Sequence, residues 1–356
     1  MIYLDSAATT FQKPPTVARA MTEALSTMSS PGRGGHPLAM RAADTAFQCR
    51  SELAALFNMK EPERVVFTTN ATHGLNIAIK SLVPRGGRVV VSGYEHNAVT
   101  RPLAALGADI SAADAPPFDR ETAVAAFERL IVPGIDAVIC NHVSNVFGCI
   151  QPIEAVAELC RDRGVPLIVD ASQSAGILPL DMERLGAAFI AMPGHKGLYG
   201  PQGTGILLCG GDGLPAALLE GGTGSISLSQ EMPDFLPVRF VRRRGTDRIL
   251  RHEQMLTRRT AELLRTLPAV EVFAAPEGKQ QAGVLSFRVR GRDPELIGEA
   301  LAERGIAVRA GLHCAPLAHR SAGTLNTGTV RVSFSAFNAP GDCEGLYYAL
   351  REAIKK

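Results

Sequence analysis

The sequence predicts an α/β protein whose larger part is built around a mostly parallel sheet covered by helices on both faces. Nearly continuous apolar runs of strand length alternate with helical stretches between about residues 60 and 210. After about residue 230 a helix and then a pair of strands follow, which predicts a smaller α+β domain. We place the two domains at residues 1–235 and 236–356, with the N-terminal segment packing partly on the smaller one.

The predicted strands of the larger domain are short and rich in Val, Ile and Leu. They cover residues 64–68, 88–92, 136–140, 166–170, 188–192 and 205–209. Helical spacing is clear in residues 16–28, 42–57, 153–163 and 252–267, and the smaller domain has predicted strands at 284–289 and 330–334. Ligands of such sheets bind at the carboxyl ends of the strands, so we expect the functional residues there.

Composition limits the class of protein. With 356 residues, 46% of them hydrophobic, the chain can bury a sizeable core, and its formal net charge of +2 argues against nucleic-acid binding. The N-terminus lacks the pattern of a secretory signal, and no apolar run has the length of a membrane span, so we expect a cytoplasmic protein. The seven cysteines form no C-x-x-C pair, which predicts mostly buried thiols and no disulfide framework.

The sharpest local signal is Lys196, which follows an apolar strand within the sequence PGHKG and precedes a glycine-rich run. A lysine at a strand end is either an exposed surface charge or an amine held to form a Schiff base. The glycine-rich run follows the lysine and does not have the dinucleotide-binding order, and no P-loop motif is present. No second Cys or His stands at ligand spacing from His313 and Cys314, so we expect no metal site.

Three further strand ends carry polar side chains. Asp170 is either a helix cap or the anion that keeps a pyridine nitrogen protonated, as pyridoxal chemistry requires. Thr72 opens a helix, where it either caps the helix or binds phosphate. His96 ends another strand, where an imidazole stacks on an aromatic ring or moves protons.

These residues belong to a set that runs in order over nearly the whole chain. The set comprises residues 3–10 (YLDSAATT), Thr72, Glu95 with His96, 141–145 (NHVSN), Asp170, Gln173, His195 with Lys196, and 309–314 (RAGLHC). It resembles the class V aminotransferase family, and within it the cysteine desulfurases and selenocysteine lyases. The resemblance implies the fold of the pyridoxal-phosphate-dependent transferases (fold type I), pyridoxal 5'-phosphate as cofactor and a homodimer.

The resemblance also implies a role for each matching residue. The implied catalytic residues are Lys196, Cys314 and His96. The implied cofactor-binding residues are Ala71, Thr72, His96, Asn145, Asp170, Gln173, His195 and Lys196. The implied substrate-binding residues are His36, Asn145, Arg309 and Arg331, the last because a guanidinium fork matches a carboxylate.

Cys314 separates a desulfurase from ordinary aminotransferases. By resemblance its thiolate takes sulfur from L-cysteine, which leaves L-alanine and an enzyme persulfide, with L-selenocysteine as a possible second substrate. The alternative is a buried, inert thiol. His313 and Arg309 are the neighbours that we expect to activate the thiol. The short stretch from Cys314 to Arg331 resembles the SUF-type branch, which implies a dedicated small protein as sulfur acceptor, with iron–sulfur clusters as one destination.

The chain departs from the family pattern at two places. Pro193 stands where many relatives have a serine hydroxyl near the phosphate. After Phe240 the chain lacks a segment of relatives that usually lends a threonine to the partner subunit's cofactor, and Gly245-Thr246 does not match it. Two alternatives therefore stay open: a selenocysteine lyase or other class V enzyme, and a sulfur-carrier or regulatory protein without turnover.

Overall fold

Seven strands form the larger sheet, and most of them run parallel. A computed structural model describes residues 1–31, 36–211, 215–216, 218, 246–275 and 281–355. Its strands are β1 (Ile2–Tyr3), β2 (Val65–Thr68), β3 (Arg88–Ser92), β4 (Asp109–Ala113), β5 (Ala137–Asn141), β6 (Leu167–Asp170), β7 (Phe189–Pro193), β8 (Gly205–Cys209), β9 (Val270–Phe273), β10 (Val284–Val289), β11 (Ile306–Ala307), β12 (Arg309–Gly311) and β13 (Thr329–Ser333).

Helices cover both faces of this sheet and one side of a smaller one. They are α1 (Pro15–Thr27), α2 (Pro37–Leu56), α3 (Ala71–Leu82), α4 (Asn97–Ala105), α5 (Arg120–Leu130), α6 (Ile153–Arg163), α7 (Met182–Leu185), α8 (Thr246–Arg265), α9 (Pro294–Ala302), α10 (Pro316–Ser321) and α11 (Pro340–Ile354). Of the helices in the described part of the chain, none has the length and apolar character needed to cross a membrane.

The order of the larger sheet is β2-β8-β7-β6-β5-β3-β4. β8 runs antiparallel to both of its neighbours, and the other strand pairs are parallel. In β5, Val138 and Cys140 belong to one hydrophobic cluster, and Ala137 and Ile139 belong to another. Apolar side chains are therefore needed on both faces of the central strands, which explains why their sequences read as continuous apolar runs. The predicted mostly parallel α/β sheet is confirmed.

The smaller sheet has the order β12-β13-β10-β9 and is antiparallel. Helices α8, α9 and α11 contribute Leu256, Leu301 and Leu346 to the hydrophobic cluster of this part. The N-terminal strand β1 pairs with β11, and Leu4 is buried in the same cluster. The predicted domain boundary between residues 235 and 236 lies outside the described residues.

Candidate active site

A cavity of about 110 Å³ lies at the carboxyl ends of β5, β6 and β7, beside the first turn of α3. The sheet position is the one expected for a ligand site in an open α/β fold. All eight residues predicted to bind the cofactor line this cavity: Ala71, Thr72, His96, Asn145, Asp170, Gln173, His195 and Lys196. Pro193, at the departure from the family pattern, lines it as well.

Lys196 lies in a tight turn that follows β7. The N–H of Tyr199 donates to the Lys196 carbonyl at 2.9 Å, and the N–H of Gly200 donates to the Gly194 carbonyl at 2.7 Å. Gly197 is required here, because a Cβ at this position would stand 2.4 Å from the carbonyl oxygen of Ala175. The turn therefore fixes the direction in which the lysine leaves the strand end.

The environment of the Lys196 amine changes its chemistry. Burial lowers its pKa to about 8, with a further contribution from the charge of Arg331. Among the residues that the structure describes, no hydrogen-bond or ion-pair partner of the amine is found. The reading of Lys196 as an ordinary exposed surface charge is therefore wrong.

Asp170 and Gln173 form the wall that continues from β6. Asp170 is 4% exposed, and its Oδ1 accepts a hydrogen bond from the N–H of Ser172 at 2.9 Å. Gln173 Nε2 donates to the carbonyl of Ala7 at 3.0 Å, which ties the N-terminal segment to the cavity wall. Asp170 thus closes a turn through one carboxylate oxygen and also lines the cavity.

The first turn of α3 forms another wall. The side chain of Asn70 caps the helix by accepting from the N–H of His73 at 2.8 Å, so the predicted capping alternative for Thr72 is wrong. Thr72 is exposed and lines the cavity. Gly205 of β8 passes close beneath this turn, where a Cβ would stand 2.6 Å from the carbonyl carbon of Asn70. An α-helix N-terminus with no acidic residue in its first turn favours an anion.

His96 and the buried carboxyl group of Glu95 occupy the end of β3. His96 Nδ1 accepts from the N–H of Ala98 at 3.0 Å and begins α4, and burial lowers the pKa of its imidazole. Glu95 Oε1 accepts from the N–H of Asn141 at 2.7 Å and from the hydroxyl of Ser92 at 2.5 Å. Burial raises the pKa of Glu95 to about 8, so this carboxyl group is largely protonated at neutral pH.

Arg331 is held beside the cavity by two contacts. Its Nη1 donates to the carbonyl of Asn145 at 2.9 Å, and its Nη2 forms an ion pair with Oδ1 of Asp5 at 2.9 Å. The side chain is 1% exposed, and burial lowers the pKa of the guanidinium while Asp5 opposes this shift. Nε of Arg331 and Oδ1 of Asn145 are buried and have no hydrogen-bond partner in the described part of the structure.

Cys314 is exposed, whereas the other six cysteines are buried. The predicted alternative of an inert buried thiol at Cys314 is therefore wrong. Its carbonyl accepts from the N–H of Asn97 at 2.9 Å, and the carbonyl of His313 accepts from Asn145 Nδ2 at 2.8 Å. These bonds tie the Cys314 loop to the start of α4 and to the cavity residue Asn145.

The two predicted neighbours of the thiol behave differently. Arg309 Nη2 lies 3.7 Å from Cys314 Sγ and can donate to it. His313 is 3% exposed; its Nε2 lies 3.1 Å from the carbonyl of Thr329, and burial lowers its pKa well below the ordinary value. The expectation that His313 activates Cys314 is not supported, because the imidazole is packed inward and is neutral at physiological pH.

His36 lies outside this group of residues. It is exposed, it precedes the first residue of α2, and it is not part of the cavity lining. Its predicted contact with substrate stays a prediction. The sequence position after Phe240, where a segment of relatives is missing, falls outside the described residues.

The residues present fit pyridoxal phosphate. A helix N-terminus with Thr72 faces the cavity edge where a phosphate would bind, and Asp170 provides an anion for a ring nitrogen. Among the described residues, neither the amine of Lys196 nor the buried Nδ1 of His195 has a hydrogen-bond partner. A bound ligand with acceptor and donor groups would satisfy such atoms.

Comparison with known proteins decides the family. The family model for class V aminotransferases matches residues 2–240 and 220–346. The chain belongs to the class V aminotransferase family. The predicted family is therefore confirmed, over nearly the whole of the chain.

The most informative relatives are similar over their full length. A probable cysteine desulfurase of Methanothermobacter thermautotrophicus is 31% identical, with 99% of this chain and 94% of that protein covered. One of Aeropyrum pernix is 30% identical with the same coverage. The match to the former spans 388 aligned positions and this chain has 356 residues, so the chain lacks residues that this relative has.

Solved structures agree with the fold. The apo structure of a cysteine desulfurase from Thermococcus onnurineus superposes with a TM-score of 0.88 at 30% identity, covering 99% of this chain and 94% of that one. The S-sulfonic acid form of the cysteine desulfurase CsdA from Escherichia coli has a TM-score of 0.84 at 25% identity, with the same coverage. The predicted fold class of this class V enzyme is thereby confirmed.

Besides Asn70, Ala98, Asn141, Val143 and Ser172 in the cavity lining, two residues that contact site residues were not predicted as site residues. Asp5 pairs with Arg331, and Lys13 donates to the carbonyl of His195. Asp5 belongs to the N-terminal segment that carries the resemblance, and its charge, the only one in residues 3–10, is the signal that could have found it. Lys13 follows that segment, and nothing in its sequence context distinguishes it from a surface lysine.

Proposed function

We propose that this chain is a pyridoxal-phosphate-dependent cysteine desulfurase that converts L-cysteine to L-alanine and carries the sulfur as a persulfide on Cys314. The observation that carries the proposal is the exposed Cys314, contacted by Arg309 and tied through Asn145 to the cavity that Lys196 lines. Full-length similarity to cysteine desulfurases supports it.

Different residues of the cavity would bind different parts of the cofactor. Lys196 would bind it covalently, Asp170 would contact the ring nitrogen, Gln173 the ring oxygen, and Ala71, Thr72 and His195 the phosphate. His96 would stack on the ring. When bound, pyridoxal phosphate supplies an electron sink for negative charge that develops on the substrate carbon atoms.

Lys196 is placed to move protons. With a pKa of about 8, roughly a tenth of its amine is neutral at pH 7, far more than for a lysine in water. A neutral amine accepts a proton from the α-carbon of the substrate and returns it later. His96, whose pKa is lowered by burial, is a second group that can accept or donate a proton at the same cavity.

Arg331 is proposed to bind the substrate carboxylate. Nε has no partner among the described residues, whereas Asn145 and Asp5 hold Nη1 and Nη2, so Nε is the donor left for a carboxylate while the guanidinium stays fixed. The unpartnered Oδ1 of Asn145 can accept from the substrate amino group. Arg309 and His36 remain the other proposed substrate contacts.

In the proposed sulfur transfer, the sulfur of L-cysteine moves to Cys314. The Cys314 thiolate attacks the sulfur of the substrate, a sulfur–sulfur bond forms, and the carbon–sulfur bond breaks. The electron pair of the broken bond stays with the β-carbon of the substrate, which takes up a proton and becomes the methyl group of alanine. The guanidinium of Arg309, 3.7 Å from Sγ, stabilises negative charge on the attacking sulfur.

Further parts of the proposal concern partners. The short stretch between Cys314 and Arg331 supports delivery of the sulfur to a small acceptor protein, with iron–sulfur cluster assembly as one destination. We also propose a homodimer in the cytoplasm, with the larger and smaller domains divided near residue 235. L-selenocysteine is the second proposed substrate, because selenium leaves carbon more readily than sulfur.

The test compares wild type with Cys314→Ala in the presence of pyridoxal phosphate and L-cysteine. We expect alanine formation and an added sulfur mass on the Cys314 peptide in wild type, and loss of both by orders of magnitude in the variant. Cys343→Ala is the matched control, because that thiol is buried. Equal alanine from both proteins, or sulfur on another cysteine, contradicts the role of Cys314. A wild type without a visible cofactor band is a sulfur carrier or regulatory protein instead.

A further inference from the structure

The backbone carbonyl immediately before Lys196 receives an unusual number of donors. The oxygen of His195 accepts from the N–H of Thr10 at 3.1 Å and from its hydroxyl at 3.0 Å. The hydroxyl of Thr9 lies 3.3 Å from the same oxygen, and the Nζ of Lys13 lies 3.1 Å from it. A carbonyl has two lone pairs, so this oxygen is more than satisfied without the lysine.

Lys13 is poorly explained as a surface lysine. Its side chain is partly buried, and burial lowers the pKa of its amine to about 8. It donates to the Thr10 hydroxyl at 2.5 Å and to the His195 carbonyl, both of them neutral acceptors. Within the described part of the chain, no carboxylate lies at ion-pair distance from Lys13. Burying a cation without a counter-charge costs free energy, so a stabilising role in the fold does not account for it.

The N-terminal segment that carries Lys13 also contacts the smaller sheet. The N–H of Ala7 donates to the hydroxyl of Ser333 at 2.8 Å, and Asp5 pairs with Arg331. One short segment therefore joins the strand that holds the proposed carboxylate clamp to the turn that holds the proposed cofactor lysine. These two groups have to act on the same small substrate.

The charge of Lys13 also acts on the cavity. The pKa of His195 is lowered to about 4, first by burial and then by the charges of Lys196 and Lys13. His195 is therefore a neutral imidazole at physiological pH. A neutral ring presents one donor and one acceptor, and its tautomer is set by its surroundings.

We propose that Lys13, acting with Thr10, is a positioning residue that fixes the backbone of His195 and Lys196 and thereby sets the direction of the Lys196 amine. The proposal rests on the proposed role of Lys196 but concerns the free protein as well. Loss of Lys13 removes one donor to the His195 carbonyl and the contact that holds the Thr10 hydroxyl, so the turn is held less firmly, while the carbonyl keeps its Thr10 donors.

The experiment measures acylation of Lys196 by acetic anhydride in the cofactor-free protein at pH 8, with peptide mass spectrometry and Lys80 as internal standard. Lys13→Met removes the donor and the charge while keeping the length of the side chain. We expect Lys196 to be acylated about tenfold faster, equivalent to losing one charge-assisted hydrogen bond at 1.4 kcal/mol per factor of ten. Faster amide hydrogen exchange in residues 194–200 is expected alongside.

Three further variants decide the interpretation. Lys13→Arg keeps a charged donor and should restore the slow acylation, which a general packing role would not predict. Thr10→Val removes the hydroxyl that joins Lys13 to the carbonyl, so Lys196 should be acylated as fast in this variant as in Lys13→Met. If Lys13→Met folds poorly, Thr10→Val provides the test in its place. Lys60→Met is the control, because the Lys60 side chain is 80% exposed in an ion pair with Glu183.

Wild-type acylation and exchange in both Lys13→Met and Thr10→Val would overturn the proposal, as would a failure of Lys13→Arg to restore slow acylation. The measurement uses neither cysteine nor cofactor, so its outcome is independent of the desulfurase activity. Conversely, a wild-type protein that forms no alanine contradicts the proposed function and leaves the positioning result intact.

Discussion

Asp5→Asn tests whether the ion pair with Arg331 orients the guanidinium for substrate. The substitution keeps the size of the side chain and one oxygen that can accept from Nη2, and it removes the negative charge. Arg331 is 1% exposed and Asp5 is 21% exposed, so the pair is shielded from water on the arginine side only. The variant therefore isolates the charge from the geometry of the contact.

The magnitude follows from the change in hydrogen-bond type. A hydrogen bond to a charged partner contributes roughly 1.5–3 kcal/mol and a neutral one roughly 0.5–1.5 kcal/mol, which gives a loss of about 1–1.5 kcal/mol. This corresponds to about tenfold in an equilibrium constant. We expect the free energy of unfolding to fall by that amount and the KM for L-cysteine to rise up to about tenfold, with kcat little changed.

The assay combines initial rates of alanine formation over a range of cysteine concentrations with urea unfolding of the same samples. Asp109→Asn is the control, because this substitution removes the same charge and Asp109 is exposed at the edge of the larger sheet. A KM that falls in Asp5→Asn would refute the reasoning, since it would mean that Asp5 competes with the substrate carboxylate for Arg331. An unchanged KM would place the carboxylate elsewhere.

Three other predictions concern the cavity and the thiol. Asp170→Asn should reduce alanine formation by orders of magnitude while circular dichroism stays native, because the amide keeps the acceptor for the Ser172 N–H and loses the anion. Arg309→Leu should slow alkylation of Cys314 by iodoacetamide severalfold, whereas His313→Gln should change that rate much less, because only Arg309 contacts the sulfur. Cofactor-free wild type should gain stability relative to Lys196→Met as the pH rises from about 8 towards 10.5, the ordinary lysine pKa. In that pH window the lysine binds a proton in the unfolded state and not in the folded state, so the free energy of unfolding rises with pH.

Each of these predictions has a result that contradicts it. If Asp170→Asn kept most of the turnover, Asp170 would act only as the cap of the turn at Ser172. Equal alkylation rates in Arg309→Leu and wild type would mean that Arg309 does not influence the reactivity of the Cys314 thiol. A stability difference between wild type and Lys196→Met that is flat from pH 7 to 10.5 would mean that the Lys196 amine is solvated.

The sequence predicts the central strands and the carboxyl-end position of the site because both depend on local patterns. Two-sided burial needs apolar runs, and β3, β8 and α6 begin and end where the pattern predicts. The strand β4 is not predicted, because it lies at the sheet edge, Ile110 is its only large apolar residue, and most of the strand is exposed or half-buried. Helix α2 begins earlier than predicted, at Pro37, since proline is well suited to the first helical turn.

Contacts between distant segments were the part that sequence reasoning could not supply. His313 is next to Cys314 in the chain, yet both residues have positive φ values of 51° and 57°, a conformation that is uncommon outside glycine. This backbone directs the imidazole into the protein interior and leaves the thiol at the surface. Of the two neighbours predicted for the thiol, the adjacent His313 therefore turns away from it, while Arg309, five residues away, contacts the sulfur.

The same anchors limit how far the sulfur of Cys314 can travel. Within two residues the loop is fixed by Asn97, by Asn145 and by the buried imidazole of His313 at Thr329. Moving Sγ by several ångströms would break these bonds and expose a buried ring, whereas a short side-chain rotation breaks none of them. If Cys314 carries a persulfide, as proposed, we therefore expect the sulfur to stay close to this loop. Under the proposed function we expect an acceptor to bring its own nucleophile to the surface at Cys314, which favours the proposed small acceptor protein.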